Sequence, residues 1–138
     1  MSITNWIQSD TEEKGETRPL RDAYGRIHSY LRIAVTDRCN LRCRYCLPEE
    51  SPHWRPLETH LTFDDITRVA RLTAAMGIRK IRLTGGEPTV RPNLEVLIRQ
   101  LAVIPGIDTV ALTTNGVRLG ALAPSLRASG ISHLNISL

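Results

Sequence analysis

At 138 residues, with 41% apolar and 23% charged side chains, the chain has the make-up of one globular domain with a core of its own. No apolar run approaches the roughly 20 residues that span a bilayer. The 18 Lys+Arg and 14 Asp+Glu (net +4) are spread without a like-charge block or an aromatic-interleaved basic stripe, so neither a membrane span nor a nucleic-acid module is indicated.

Taken in chain order, residues 1–18 are polar and acidic, and a disordered tail is expected there rather than a secretory signal, with a cytoplasmic location as the consequence. Residues 19–138 are expected to form one folded unit, with 19–30 wrapping it. Leu31–Thr36 reads as a strand and leads into a cysteine-rich loop through about residue 60. The spacing of Ile66, Val69, Ala70, Leu72, Thr73 and Met76 predicts a helix over 63–76, with Thr62 as N-cap, Asp65 completing the cap and Gly77 as the stop. Arg79–Thr84 is a second strand ending at Gly85-Gly86. A second helix, 93–103, carries an apolar stripe of Leu94, Leu97, Ile98 and Leu101. Asp108–Thr114 is a third strand ending at Asn115-Gly116, residues 119–128 form a short helix before Gly130, and His133–Leu138 is a fourth strand.

Strands alternating with helices imply right-handed βαβ units and an α/β fold with a parallel sheet. The Val/Ile/Leu-rich strands predict that both faces of that sheet are covered. In such sheets, functional groups gather at the carboxyl ends of the strands, and each suggestive segment here falls on that rim. A fourth strand with no helix after it predicts an incomplete barrel, a fragment or truncated form of a longer chain.

The cysteines are odd in number, three, and lie within the eight residues 39–46, which argues against a disulfide framework. Cys39, Cys43 and Cys46 have the spacing C-x3-C-x2-C. Thiolates are the usual ligands of [4Fe–4S] clusters, most of which use four. Three from one loop would leave one iron open to chelate an amine and a carboxylate, such as the methionine end of S-adenosylmethionine. A structural zinc site with His53 or His60 as fourth ligand is the competing reading, and three inert thiols the blandest one. Tyr45, between two of the cysteines, either packs under the loop or faces an adenine.

Gly85 and Gly86 would let the backbone approach a ligand closely, and Glu87 would offer an acceptor for its ammonium group. Arg32 and Arg82 share strand faces with polar residues. Either they snorkel into solvent or they face an anion inside the barrel, as a phosphate-bearing substrate would require. Thr113 and Ser137 are strand-end hydroxyls that either cap a backbone group or bond a ribose or phosphate.

Taken together, the C-x3-C-x2-C loop after the first strand and Gly85-Gly86-Glu87-Pro88 after the second resemble the radical-SAM superfamily. A narrower resemblance is to the GTP 3′,8-cyclase (MoaA) family of molybdenum-cofactor biosynthesis. It rests on Asp22–Arg26, Tyr30–Asn40, Tyr45–Pro48, Ile81–Pro88 and Thr113–Gly116, and it runs from about Leu20 to the end. That resemblance implies a partial radical-SAM (β/α) barrel, a [4Fe–4S] cluster on Cys39, Cys43 and Cys46, and S-adenosylmethionine contacted by Tyr45, Gly86 and Ser137. It also implies GTP contacted by Arg32, Arg82 and Thr113, and an electron donor. The implied reaction begins with hydrogen abstraction from the GTP ribose by an adenosyl radical and ends in a cyclised pterin precursor. Members of the family are longer and carry a second cysteine trio for an auxiliary cluster. These 138 residues hold no such trio, so this polypeptide alone is expected not to be a competent cyclase. Leu47 stands where the family commonly has Met. A different radical-SAM enzyme, or a non-catalytic cluster- or zinc-binding remnant, are the alternatives.

Overall fold

The computed structural model describes residues 19–46 and 54–137. The expected tail over 1–18, Leu47, His53 and the last residue of the predicted fourth strand lie outside them. A parallel sheet of four strands, β1 (Tyr30–Ala34), β2 (Lys80–Thr84), β3 (Thr109–Thr114) and β4 (His133–Ile136), is ordered as in the sequence. Helices α1 (Phe63–Ala75), α2 (Leu94–Ala102) and α3 (Leu119–Ala128) make the crossovers. The expected α/β class with a parallel sheet is the observed one.

The helices form where the sequence supplies an apolar stripe, and α1 carries end signals as well. At the start of α1 the Thr62 hydroxyl accepts from the Asp65 amide (3.1 Å), while the Asp65 carboxylate accepts from the Thr62 amide (3.0 Å), a reciprocal capping box. Gly77, at φ +94°, turns the chain out of the helix. Ile66, Ala70 and Ala74 of α1 and Leu94, Leu97, Ile98 and Leu101 of α2 pack with Leu126 of α3 on one face of the sheet. They meet Ile81, Leu83, Val110 and Leu112, all essentially excluded from water. Sheet register puts Ile33, Leu83 and Leu112 in one row across that face. A Leu→Ala change in such a row typically costs about 2–5 kcal/mol.

The opposite face differs from expectation. Among the described residues no helix covers it, and Tyr30, Arg32 and Ala34 of β1 are exposed. Only the expectation that both faces are covered fails; the alternation along β1 and β2 already places Ile33, Ile81 and Leu83 against the helices and Arg32 and Arg82 on the other side. The apolar strand content comes from Ile33, Ile81, Leu83, Val110 and Leu112, which share the helix side, while the other side carries Arg, Lys, Thr and His. Of residues 19–30, expected to wrap the domain, 19–29 bond to the sheet's amino end and Tyr30 instead opens β1. Leu20 N–H donates to Met76 O (3.0 Å), and Arg79 N–H to Ser29 O (2.9 Å). No helix of the described residues is long and apolar enough to cross a membrane.

Candidate functional site

All the rim segments converge at the carboxyl ends of the strands. Beyond β1, Val35 and Thr36 lead into the cysteine loop, whose backbone is fastened to the turn after β2. Gly86 N–H donates to Thr36 O and Glu87 N–H to Arg38 O, both at 2.8 Å. The glycines are therefore read differently from the sequence expectation: what approaches them closely is the protein's own loop. A Cβ on Gly85 would drive into the Thr36 carbonyl, and one on Gly86 into the carbonyls of Asp37 and Arg38. Gly85 also sits at φ +136°, a conformation for which L side chains are unsuited.

Loop and scaffold are tied at both ends. Asp37 accepts from the Arg55 amide (2.8 Å) and lies 3.2 Å from His60 Nε2. The Arg55 amide is the main reason its carboxyl sits below the usual carboxylate range, against the opposing effect of desolvation. Arg91 donates to Val35 O and Leu61 O, each at 2.6 Å, so one guanidinium joins the loop's departure to its return. It also stacks on Phe63 at 4.5 Å, and desolvation lowers its pKa from the ordinary arginine value. A cavity of about 600 Å³ opens here, lined by Thr36, Arg38, His60, Phe63, Arg91 and Gln100 among others. Arg32, Lys80 and Arg82 do not line it.

Cys39, Cys43 and Cys46 are free thiols; Cys46 is exposed and the other two are half-buried. The Cys46 amide donates to Cys43 O (2.9 Å), closing a turn between them. Cys39 Sγ accepts from the Leu41 amide at 3.4 Å. Among the described residues no three His, Cys, Asp or Glu side chains converge closely enough to hold one metal ion. His60, one candidate for a fourth zinc ligand, faces Asp37, and His53, the other, lies outside the described residues. A [4Fe–4S] cluster spreads its thiolates over separate irons. Three unpaired thiols on one loop, one of them accepting from a backbone amide, fit that donor set.

Glu87 corrects a further expectation. It is 1% exposed, and its carboxylate is spent inside the protein. Oε1 accepts from the Thr89 amide (3.1 Å) and the hydroxyls of Thr89 (2.6 Å) and Thr114 (2.8 Å), while Oε2 accepts from the Asn115 amide (2.6 Å). It therefore serves as a clamp between the rims of β2 and β3, and not as the freely offered acceptor for an ammonium group. Tyr45 is 88% exposed on the cysteine loop. Ser137 continues the ladder beyond β4, its amide donating to Thr114 O (2.9 Å).

The uncovered sheet face adjoins the loop. Arg32 and Arg82 are register neighbours, and Tyr30 is paired with Lys80. Arg82 donates to the Thr113 hydroxyl at 3.3 Å, which brings two of the sequence candidates together. Its Nε is buried without a partner among the described residues, so Arg82 does not simply snorkel outward. Arg32 is exposed and donates to Tyr30 Oη (3.3 Å). The Tyr30 ring lies 5.3 Å from the Arg32 and Lys80 cations and 5.7 Å from Arg82. Sequence reasoning missed Tyr30 as the centre of this group. The available signal was period-2 spacing, which puts it on the same face as Arg32.

A sequence-family comparison matches residues 33–138 to the Radical SAM superfamily. The GTP 3′,8-cyclase of Moorella thermoacetica is 52% identical over 119 residues, 86% of this chain and 37% of that protein. Molybdenum cofactor biosynthesis protein 1 of Homo sapiens is 50% identical over 119 residues, 86% of this chain and 19% of that protein. The chain thus spans well under half the length of these relatives. Among solved structures, BtrN in an open conformation superposes with a TM-score of 0.61 at 21% identity, covering 80% of this chain and 50% of that one. At that identity the likeness is one of fold.

Proposed function

The chain belongs to the radical SAM superfamily, and on that premise we propose that it forms the cluster- and cofactor-binding part of a GTP 3′,8-cyclase of molybdenum-cofactor biosynthesis. One observation carries the reading: a loop of three free thiols stands at the rim of a sheet whose adjoining face, covered by no helix among the described residues, is basic. A metal centre and an anion site on one continuous surface are what a reaction on a nucleotide triphosphate needs.

In this reading Cys39, Cys43 and Cys46 hold three irons of a [4Fe–4S] cluster and leave the fourth without a protein ligand. When bound, that cluster and S-adenosylmethionine supply the 5′-deoxyadenosyl radical that abstracts hydrogen from the ribose. Tyr45 offers its exposed ring to the adenine. The Gly86 backbone and Ser137 line the rim on either side of the β3 end. Arg32 and Arg82 bind phosphate oxygens of GTP, and the Thr113 hydroxyl, held by Arg82, orients the nucleotide between the phosphates and the rim. Uncompensated charge in the Tyr30 group is the electrostatic reason that an anion is accepted there. An external electron donor completes the requirement.

Binding readouts test this directly. The chain reconstituted anaerobically with iron and sulfide is expected to show a reduced-cluster EPR spectrum that changes on adding S-adenosylmethionine, and to bind GTP with an affinity that falls in Arg82→Ala. An iron-loaded chain whose spectrum ignores S-adenosylmethionine would remove the cofactor assignment. GTP binding unaltered by Arg82→Ala would remove the substrate site.

A further inference from the structure

Resting on the cluster reading above, we propose that Asn115 is a positioning residue of the metal centre, fixing Cys39 and tuning the cluster's reduction potential through an N–H···S contact from its side-chain amide. No geometry of the cluster itself is needed for the argument. It starts from how completely Asn115 is oriented. Its backbone amide is held by Glu87 Oε2 at 2.6 Å, and Glu87 is in turn fixed by Thr89 and by the Thr114 hydroxyl. The Asn115 side-chain oxygen accepts from the Val117 amide at 3.1 Å, an Asx turn. That contact decides which end of the amide is which: the oxygen is occupied by a backbone donor, so Nδ2 must face the other way.

What Nδ2 faces is the first cysteine of the loop. It donates to Asn40 Oδ1 at 2.8 Å and lies 4.0 Å from Cys39 Sγ, at the long end of an N–H···S contact. Cys39 Sγ already accepts from the Leu41 amide at 3.4 Å, so the sulfur is approached by donors from its own loop and from the β3 rim. A thiolate that accepts N–H bonds gives less charge to its iron. The reduced, more negative state is then favoured, and the potential rises. Glu87 thus reaches the metal centre at one remove: its buried carboxylate locks Asn115, and Asn115 meets Cys39.

The test is a potentiometric titration of the reconstituted chain, followed by EPR, in wild type, Asn115→Asp and Asn115→Ser. Asp keeps an acceptor for the Val117 amide but loses the donor; Ser loses the reach without adding charge. With iron content equal to wild type, both midpoints are expected to become more negative, Asp further than Ser. A shift in Asp alone would overturn the inference, since added charge would explain it, and so would no shift in either. Iron content and thermal stability, measured alongside, separate tuning from general loosening, which lowers both without moving the midpoint of the surviving cluster. Should wild type itself hold no iron–sulfur cluster, the cluster reading fails first and takes this inference with it.

Discussion

Gly85 and Gly86 illustrate how one motif can be required for two separate reasons. At Gly85 the backbone conformation excludes other residues, and a side chain would also strike the Thr36 carbonyl. No positive φ constrains Gly86, where the Asp37 and Arg38 carbonyls occupy the space a Cβ needs. Either Ala variant must therefore push the cysteine loop off the β2 rim, because the obstructing atoms are backbone and cannot rotate aside. Strain of this kind costs roughly 1–3 kcal/mol, so both variants are expected to melt at lower temperature and to bind less iron after reconstitution. Undiminished iron binding by Gly86→Ala would show that the loop is not held by this contact. The neighbouring Glu87→Gln change keeps shape but replaces one acceptor oxygen with a donor. Every partner on Oε2, and the Thr89 amide on Oε1, is itself a fixed N–H donor. Two donors then face each other in a dry site, and a loss of about 1–3 kcal/mol is expected by denaturant titration.

Among the elements, α1 shows how local chemistry sets a boundary. Its capping box places Asp65 among hydrogen bonds from the Thr62 hydroxyl and amide, which, with the Thr62 hydroxyl bond as the largest cause, hold the carboxyl below its ordinary pKa. A depressed folded-state pKa contributes stability above the unfolded value, about 3.9 for Asp. That contribution is lost as pH falls through the lowered value. Asp65→Ala is thus expected to lower the melting temperature at neutral pH, with the difference from wild type shrinking towards zero in acid. A difference constant across that range would mean that ionisation of the capping carboxylate contributes nothing. Thr62→Ala, which removes the other half of the box, is expected to cost about 1 kcal/mol. This helix was legible in the sequence because Thr62, Asp65 and Gly77 lie within its own span and obey local rules. The same holds for β1 to β4, whose apolar residues, with glycines after β2 and β3, mark them within a residue or two. Glu87 was not legible, since its partners Thr114 and Asn115 are 27 and 28 positions away and meet it only once β2 and β3 pair. Period 2 shows which residues share the polar face, but whether a helix covers that face depends on how the crossovers pack and is not written in the strands themselves.

Across the whole molecule, charge and apolar packing are segregated to opposite faces of one sheet. The helix side carries the core, while the other side gathers Arg32, Lys80 and Arg82 around Tyr30, with His133 and Asn135 in register beyond them. A modest net charge of +4 would give little attraction if spread evenly. Concentrated on one concave or flat face beside a low-dielectric core, the same charges act together. Two arginines and a lysine so close repel one another, and the negative face of Tyr30 offsets part of that cost. Replacing Tyr30 by Leu keeps the apolar bulk but removes both the ring and the hydroxyl that receives Arg32. It is therefore expected to spread the cations apart and weaken inorganic triphosphate binding. Arg82→Ala should weaken it more, by roughly tenfold or beyond, the scale of one charge-assisted hydrogen bond of about 1.5–3 kcal/mol. Arg79 supplies the control: it is spent on Asp108 at the sheet's amino end, at 2.7 and 3.1 Å, so its removal changes total charge by the same amount without touching the patch. Isothermal titration across an ionic-strength series should find Arg79→Ala close to wild type, and Tyr30→Leu and Arg82→Ala weaker with shallower salt dependence. Equal losses in Arg79→Ala and Arg82→Ala, with Tyr30→Leu unchanged, would mean that triphosphate senses overall charge and that the sheet face has no organised site.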